Sequence, residues 1–243
     1  VLGTLNLVNS IRRSPVKELV LISSDKAVHP KNVMGATKRL AEMIVLNFAE
    51  KESSKIFSLV RFGNVMRSSG SVIPLFEDQI RNGGPVTVTD GRATRYLMTS
   101  LEASQLVIQA SAMAKGGEIF VLDMGRPVNI KDIAYELVRL NGLEPEKDIF
   151  VEYIGARPGE KLFEELRTEK ETIIKTSHEK IMMMKSDSDE HWHDVYRHAL
   201  NIIESAKSYN MQVIAKEIDK YVQNYKPQKN YREENKKKSF SDN

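Results

Sequence analysis

A chain of 243 residues has room for one large domain or two small ones, with enough length for a proper core. With 41% hydrophobic and 28% charged residues and a mean hydropathy of −0.39 it has a globular composition, and no apolar run approaches the roughly 18 residues of a membrane span or resembles a cleavable signal. The absence of cysteine excludes disulfides and thiolate metal sites and fits a reducing, cytoplasmic setting.

The net charge of +3 has one source. Residues 226–243 carry Lys226, Lys229, Arg232, Lys236, Lys237 and Lys238 against Glu233, Glu234 and Asp242, so the remaining chain is near neutral. A nucleic-acid binder should show a basic face on its folded part, so no nucleic-acid partner is expected and the tail reads as a disordered, solvated end.

In chain order, "VLGTLNLVNSIRRS" spaces Leu2, Leu5, Leu7, Val8 and Ile11 as a helix without an N-cap. "KELVLISS" is too apolar for a one-sided strand and reads as a central parallel strand. "GATKRLAEMIVLNFAEKE" predicts an amphipathic helix and "KIFSLVRFGNV" another buried strand. "VIPLFEDQIRNGG" reads as a helix with a glycine stop, and "PVTVTD" as a short strand. "SLEASQLVIQASAMA" is a helix with Ser100 as N-cap. "EIFVLDMG" is a strand, "NIKDIAYELVRLNG" a capped helix and "DIFVEYIG" a strand. Strands alternating with helices imply right-handed crossovers and a mainly parallel sheet. After Glu160 come a linker, a short strand around "KIMMMKS", a helix from about 189 to 206, and a last amphipathic helix, "MQVIAKEIDKYVQNY".

Chemistry concentrates at the carboxyl end of the first strand, where open α/β sheets bind ligands. There Ser23, Ser24, Asp25 and Lys26 follow one another, and Lys38 stands on the next helix. His191, His193 and His198 with Asp187, Asp189 and Glu190 do not suggest a metal, because residues two apart on a helix do not share a face. Met182, Met183 and Met184 read as strand core.

Six stretches carry a family resemblance: "LGTLNL", "LISSDKAVHPKNVMGATKRLAE", "VRFGNVMRSSGSVIPLF", "VTVTDGRATRYLMTSLEA", "IFVLDMGRPVNIKDIA" and "GARPGEKLFEEL". In that order, over Val1 to about Leu166, they resemble the extended short-chain dehydrogenase/reductase superfamily. Within it they are similar to the CapD-like polysaccharide-biosynthesis group of nucleoside-diphosphate-sugar 4,6-dehydratases. The resemblance implies an α/β fold: the C-terminal part of a Rossmann-like doubly wound parallel sheet with a smaller α/β substrate-binding domain. Residues 1–66 would be the later part of the NAD-binding domain and carry the catalytic strand. Residues 67–225 would be a substrate-binding region interleaved with the remaining Rossmann elements, and 226–243 the tail.

The resemblance also implies roles. In such a dehydratase NAD takes a hydride from C4 of the hexose, a base removes the C5 proton, an acid protonates the leaving C6 hydroxyl, and hydride returns to C6. By this likeness Asp25 is the acid and Lys26 the base, Ser24 bonds the C4 oxygen, and Ser23, Lys38 and Phe62 contact the cofactor. Asn64, Ser71, Arg95, Arg157 and Glu160 would hold the UDP-sugar; a planar guanidinium suits pyrophosphate. Met34 occupies the position of the family's tyrosine base and cannot exchange a proton, which leaves another base or water, or an impaired relative. The alternatives are a 4-epimerase or reductase of the same superfamily, of which the sister 4-epimerases lack the Asp-Lys pair after the serine, and a non-catalytic nucleotide-sugar-binding module.

No glycine-rich dinucleotide loop follows a strand anywhere in the chain. The expectation is a C-terminal fragment whose cofactor loop lies upstream, with membrane-spanning helices further upstream still and no membrane contact from this segment. Such a fragment should be inactive alone, should expose apolar strand and helix surface and should self-associate or fold poorly; the parent is expected to be a homo-oligomer handling UDP-N-acetylglucosamine for surface polysaccharide, at the cytoplasmic face of a membrane if anchored there.

Overall fold

The structure is a computed structural model, and it describes residues 1–68, 70–157, 159–167, 171–185, 194–222 and 225. Helix α1 (Leu2–Arg12) leads to strand β1 (Glu18–Ile22), a 3₁₀ turn at Asp25–Ala27 and helix α2 (Val33–Lys51). Then come β2 (Ile56–Arg61), the two-residue β3 (Asn64–Val65), α3 (Val72–Arg81), β4 (Val86–Val88), β5 (Thr94–Arg95) and β6 (Leu97–Met98). Helix α4 (Ser100–Met113) precedes β7 (Ile119–Leu122), β8 (Val128–Asn129), α5 (Ile130–Leu140) and β9 (Val151–Tyr153). The order closes with β10 (Thr172–Lys175), β11 (Ile181–Lys185), α6 (Val195–Lys207) and α7 (Met211–Tyr221).

The main sheet has the order β1-β2-β7-β11-β10. Its first three strands are parallel, as the alternation of strands and helices predicts, and β11 and β10 add antiparallel. The segment read as a linker after Glu160 therefore contains a strand, β10. Its two isoleucines pair across to Met183 and Met184, and a four-residue strand at a sheet edge is too short to show a period. The strand read from "DIFVEYIG" is β9, which joins β4 in a separate two-stranded sheet.

Side chains alternate across the main sheet and feed two cores. Phe57, Leu59, Ile119, Val121 and Met184 face α1, α2, α6 and α7, while Val60, Phe120, Leu122 and Ile181 face α4. The three consecutive methionines obey the same alternation, with Met182 and Met184 on the first side and Met183 on the second. A third core is built from α3, β4, α5 and β9 around Phe76, Val86, Val138 and Val151, and no strand of the five-stranded sheet contributes to it. The chain thus packs a sheet with helices on both faces beside a smaller α/β unit.

Further sequence expectations are corrected. Helix α2 is not one-sided: residues 39–48 are all buried, because α1 and α6 both pack on it and β2 runs behind it. The N-cap of α4 is Thr99, whose hydroxyl accepts from the Glu102 amide at 3.1 Å, and Ser100 is the first helical residue. Asp187, Asp189, Glu190, His191, His193 and the tail 226–243 lie outside the described residues, and α6 is described from Val195. His198 is buried, sits 2.9 Å from a Glu217 carboxylate oxygen and stacks on Tyr221. Among the described residues no helix is long and apolar enough to cross a membrane. β1, read as a central strand, is also corrected: it is parallel but lies at the sheet edge, pairing only with β2 among the described residues, and leaves Ile22 exposed.

Candidate active site

Three strand ends build the site. β1 runs past its last paired residue with the Ser23 amide donating to the Val60 carbonyl at 2.8 Å and the Asp25 amide donating to the Phe62 carbonyl at 3.2 Å. The chain then turns into the 3₁₀ segment, capped by the Ser24 hydroxyl, which accepts from the Lys26 amide at 3.2 Å. Beside it β2 continues into β3, where the Asn64 amide donates to the Tyr96 carbonyl.

Helix α2 fixes the turn from the other side. Its N-cap, Asn32, accepts from the Gly35 amide at 2.8 Å, and Gly35 lies flat against the Lys26 carbonyl. A buried charge cluster underlies it. Arg61 grips both oxygens of Glu42 at 2.8 Å each, reaches Glu171 at 2.8 Å, and Arg39 adds a third contact to Glu42 at 2.9 Å. The Ser23 hydroxyl donates to Glu42 at 2.6 Å. Burial alone would raise the Glu42 pKa, but Arg61, its hydrogen bonds and Arg39 outweigh that and hold it at about 2; Glu42 and Glu171 in turn push Arg61 above its ordinary value.

Between this platform and the smaller unit lies a cleft of about 510 Å³. Asp25, Lys26, Met34, Asn64, Ser71, Arg95, Arg157 and Glu160 all line it, although the sequence scatters them from 25 to 160. Asp25 has no exposed side-chain surface and forms the floor, while Lys26 is about a third exposed. The Lys26 ammonium donates to Asp25 Oδ1 at 2.9 Å and Oδ2 at 3.2 Å, and the Ser24 hydroxyl donates to Oδ1 at 2.8 Å. The carboxyl and the amine therefore converge. Met34, exposed at the first turn of α2, stands over the same opening.

The remaining groups fall into two sets. Asn64 is engaged at both ends: its Oδ1 accepts from Lys26 at 3.2 Å and its Nδ2 donates to Glu164 at 2.8 Å. Arg95 is paired with Glu160 at 2.9 Å and lies 3.4 Å from Glu164. Glu160 also accepts from the Thr89 hydroxyl at 3.0 Å and the Arg157 amide at 3.1 Å. By contrast, the Ser71 hydroxyl is buried at the start of α3 with no partner among the described residues, and the exposed Arg157 guanidinium has no ion pair among them. Those two are free to meet a ligand.

Four sequence-derived candidates lie outside the cleft lining. Ser23 is buried and committed to Glu42; Ser24 is half-buried in the turn and spends its hydroxyl on Asp25; Phe62 packs in the second core, and its backbone carbonyl holds Asp25; Lys38 is exposed on α2. The structure adds Glu164, Lys161 and Lys31 to the lining. Glu164 and Glu165 are adjacent in "KLFEEL", yet the first has a 3% exposed side chain inside the cleft and the second bonds His29 at 2.7 Å outside it. Nothing in the sequence separates them; only the packed loop does. Burial pushes Lys161 below its ordinary value, and its ammonium donates to the Val28 carbonyl at 2.5 Å.

The sheet order, the parallel first three strands and a cleft at the strand ends define an α/β fold of the Rossmann type. The chain belongs to the polysaccharide biosynthesis protein family, whose model matches residues 1–186. It is 55% identical over 187 residues to the capsular polysaccharide biosynthesis protein CapD of Staphylococcus aureus, covering 77% of this chain and 31% of CapD. The crystal structure of Pen from Bacillus thuringiensis superimposes with a TM-score of 0.69 at 37% identity, over 76% of this chain and 58% of Pen. A dTDP-glucose 4,6-dehydratase from Bacillus anthracis, solved in complex with NAD, shares the fold with a TM-score of 0.57 at 19% identity, over 64% of this chain and 56% of that one. The chain thus spans about a third of the curated relative and under two thirds of either solved chain.

Proposed function

We propose that this chain carries the acid–base centre of a sugar-nucleotide 4,6-dehydratase acting on a UDP-N-acetylhexosamine, with UDP-N-acetylglucosamine as the substrate of first choice. One observation carries the reading: the Lys26 ammonium lies 2.9 Å from Asp25 Oδ1 in a cleft large enough for a sugar nucleotide. The 55% identity to a capsular polysaccharide biosynthesis protein supports the setting.

Eliminating water across C5 and C6 needs a base and an acid on one face of the sugar. Direct contact makes Asp25 and Lys26 a pair that exchanges a single proton. The working form has the proton on Asp25 and a neutral Lys26. Lys26 then removes the C5 proton while Asp25 protonates the departing C6 hydroxyl, which leaves carboxylate and ammonium facing each other as in the structure. When hydride returns to C6, the C5 carbanion takes a proton from the Lys26 ammonium, whose protons exchange with solvent, and Asp25 regains its proton from the one that oxidation of the C4 hydroxyl releases. Ser24, already a donor to Asp25, orients that carboxyl and is assigned to the C4 oxygen.

The elimination requires a ketone at C4, and NAD, when bound, accepts the C4 hydride and later delivers it to C6. The residues present fit only the nicotinamide end: Ile22 and Met34 offer exposed apolar surface beside the turn, with Lys38 on the next turn of α2. Met34 has no ionisable proton, so it cannot deprotonate the C4 hydroxyl. At the other end, Arg157 and the Ser71 hydroxyl at the head of α3 suit a pyrophosphate.

The test uses the intact protein with UDP-N-acetylglucosamine in heavy water. The expected product is a 4-keto-6-deoxy sugar nucleotide with deuterium at C5. Asp25→Asn and Lys26→Ala should each lower turnover by about 10²- to 10⁴-fold. Unchanged turnover in both variants removes the assigned roles, and a C4-epimerised product that keeps its C5 hydrogen replaces dehydration with epimerisation.

A further inference from the structure

The mechanism above leaves one buried ionisable group in the cleft without a task. Glu164 faces the acid–base pair with only 3% of its side chain exposed. One of its oxygens accepts from Asn64 Nδ2 at 2.8 Å and lies 3.6 Å from the Lys26 ammonium and 3.4 Å from Arg95 Nε. The other accepts from the Tyr96 backbone amide at 3.0 Å. Charge therefore alternates along one line through the cleft, from Asp25 to Lys26, Glu164, Arg95 and Glu160, with Asn64 bridging the second and third members.

Building on the dehydratase reading, we infer that Glu164 is a positioning residue of the acid–base centre, the second carboxylate that holds the Lys26 ammonium and the Asn64 amide in place and ties them to Arg95. The geometry leaves little else for it to be. A buried carboxylate with no counter-ion is expensive, and here the compensating donors are the groups that line the reacting end of the cleft. Asn64 has its amide saturated by Lys26 on one side and Glu164 on the other, so it acts as a spacer that sets the Lys26 direction. Burial, and then the Asp25 charge, push the Glu164 carboxyl above its ordinary value, while Lys26, Asn64 and the Tyr96 amide pull it back.

Two carboxylates facing one ammonium make the pair's protonation depend on Glu164. The charged groups that surround it are Asp25 and Lys26 from the 3₁₀ turn, Arg95 from β5, and Glu160 and Lys161 from its own segment. Removing the Glu164 charge withdraws an anion from beside Lys26, so neutral amine becomes easier to form. It also removes a repulsion from Asp25, so that carboxyl gives up its proton more readily. Both changes move in the same direction on the pH axis.

Glu164→Gln in the intact protein tests this in two ways. The first is independent of turnover: acetic anhydride labelling at fixed neutral pH, read by peptide mass spectrometry, should acetylate Lys26 several-fold faster in Glu164→Gln than in the unaltered protein. The outer neighbour's variant, Glu165→Gln, should not change that rate. Equal Lys26 labelling in all three overturns the inference whether or not the protein is a dehydratase. The second is the pH profile of UDP-N-acetylglucosamine dehydration. Here kcat should fall about 10- to 100-fold with KM nearly unmoved, and both limbs should shift to lower pH. A loss of activity with an unshifted profile and unshifted labelling means a purely structural role and also overturns the inference. Absence of dehydration in the unaltered protein, with faster Lys26 labelling in Glu164→Gln, rejects the proposed function while leaving Glu164 as the residue that holds Lys26. If the amide variant does not fold, Glu164→Asp, which keeps the charge but withdraws it by one methylene, should raise Lys26 labelling by a smaller factor; no change there is equally decisive.

Discussion

Gly35 shows how little room the turn at Asp25 and Lys26 leaves. A Cβ built there would collide with the Lys26 carbonyl oxygen and press on Pro30 at 3.1 Å. Backbone cannot yield as a side-chain tip can, so Gly35→Ala must push α2 away from the 3₁₀ turn. The expected cost is about 1–3 kcal/mol of stability, measured by denaturant unfolding, with a loss of turnover larger than the stability loss explains. The consecutive residues Ser24, Asp25 and Lys26 were readable as a candidate site because a strand end is a local feature. Glu164 was not, because whether it or Glu165 turns inward depends on how the 159–167 loop lies across 28–32. That loop is tied down by Asn32 donating to the Gly159 carbonyl at 3.1 Å, by Lys161 and by His29.

Helix α2 and strand β2 meet through the Glu42–Arg61 cluster, which has no exposed surface on either partner. Taking two charges out of water is costly, and here each is compensated by several charge-assisted bonds, so breaking the set is worse than never having made it. Glu42→Ala leaves Arg61 buried without its bidentate partner and should destabilise the protein by about 3–5 kcal/mol in thermal or denaturant melts. The pH dependence has a definite sign. Glu42 titrates at about 2 in the folded state against an ordinary 4.5, so its contribution is fully present above about 4.5 and is lost as pH falls toward 2. In Glu42→Gln that part of the acid dependence should disappear, which a series of melts between neutral and acid pH would reveal. The sequence marks α2 and β2 as apolar and helical or extended; it does not say that Glu42, Arg61 and Ser23 share one interior, since each looks like an ordinary surface charge or turn residue.

The separation into three cores has consequences for the whole molecule. Because the third core draws only on α3, β4, α5, β9 and their flanking residues, truncating its centre should weaken the smaller unit first. Phe76 is fully buried there and also lines the cleft, so Phe76→Ala should cost about 3–5 kcal/mol. Calorimetry is expected to show a lowered early transition with the sheet's own transition little changed; a single transition lowered as a whole would show that the two units unfold together. The fold class was legible along the chain because strand and helix periods, turn glycines and the apolar run of β2 are local consequences of backbone geometry and burial. So was the adjacency of Asp25 and Lys26, though not the convergence of their side chains, which the 3₁₀ turn sets. What only the packed molecule decided was convergence over distance. It brought Asn64, Arg95 and Glu164 onto one line of alternating charge, removed Ser23 and Phe62 from the cleft, and turned an apparent linker into β10. Each of these depends on which groups are denied water, and burial is set by the whole arrangement of elements rather than by any short stretch of sequence.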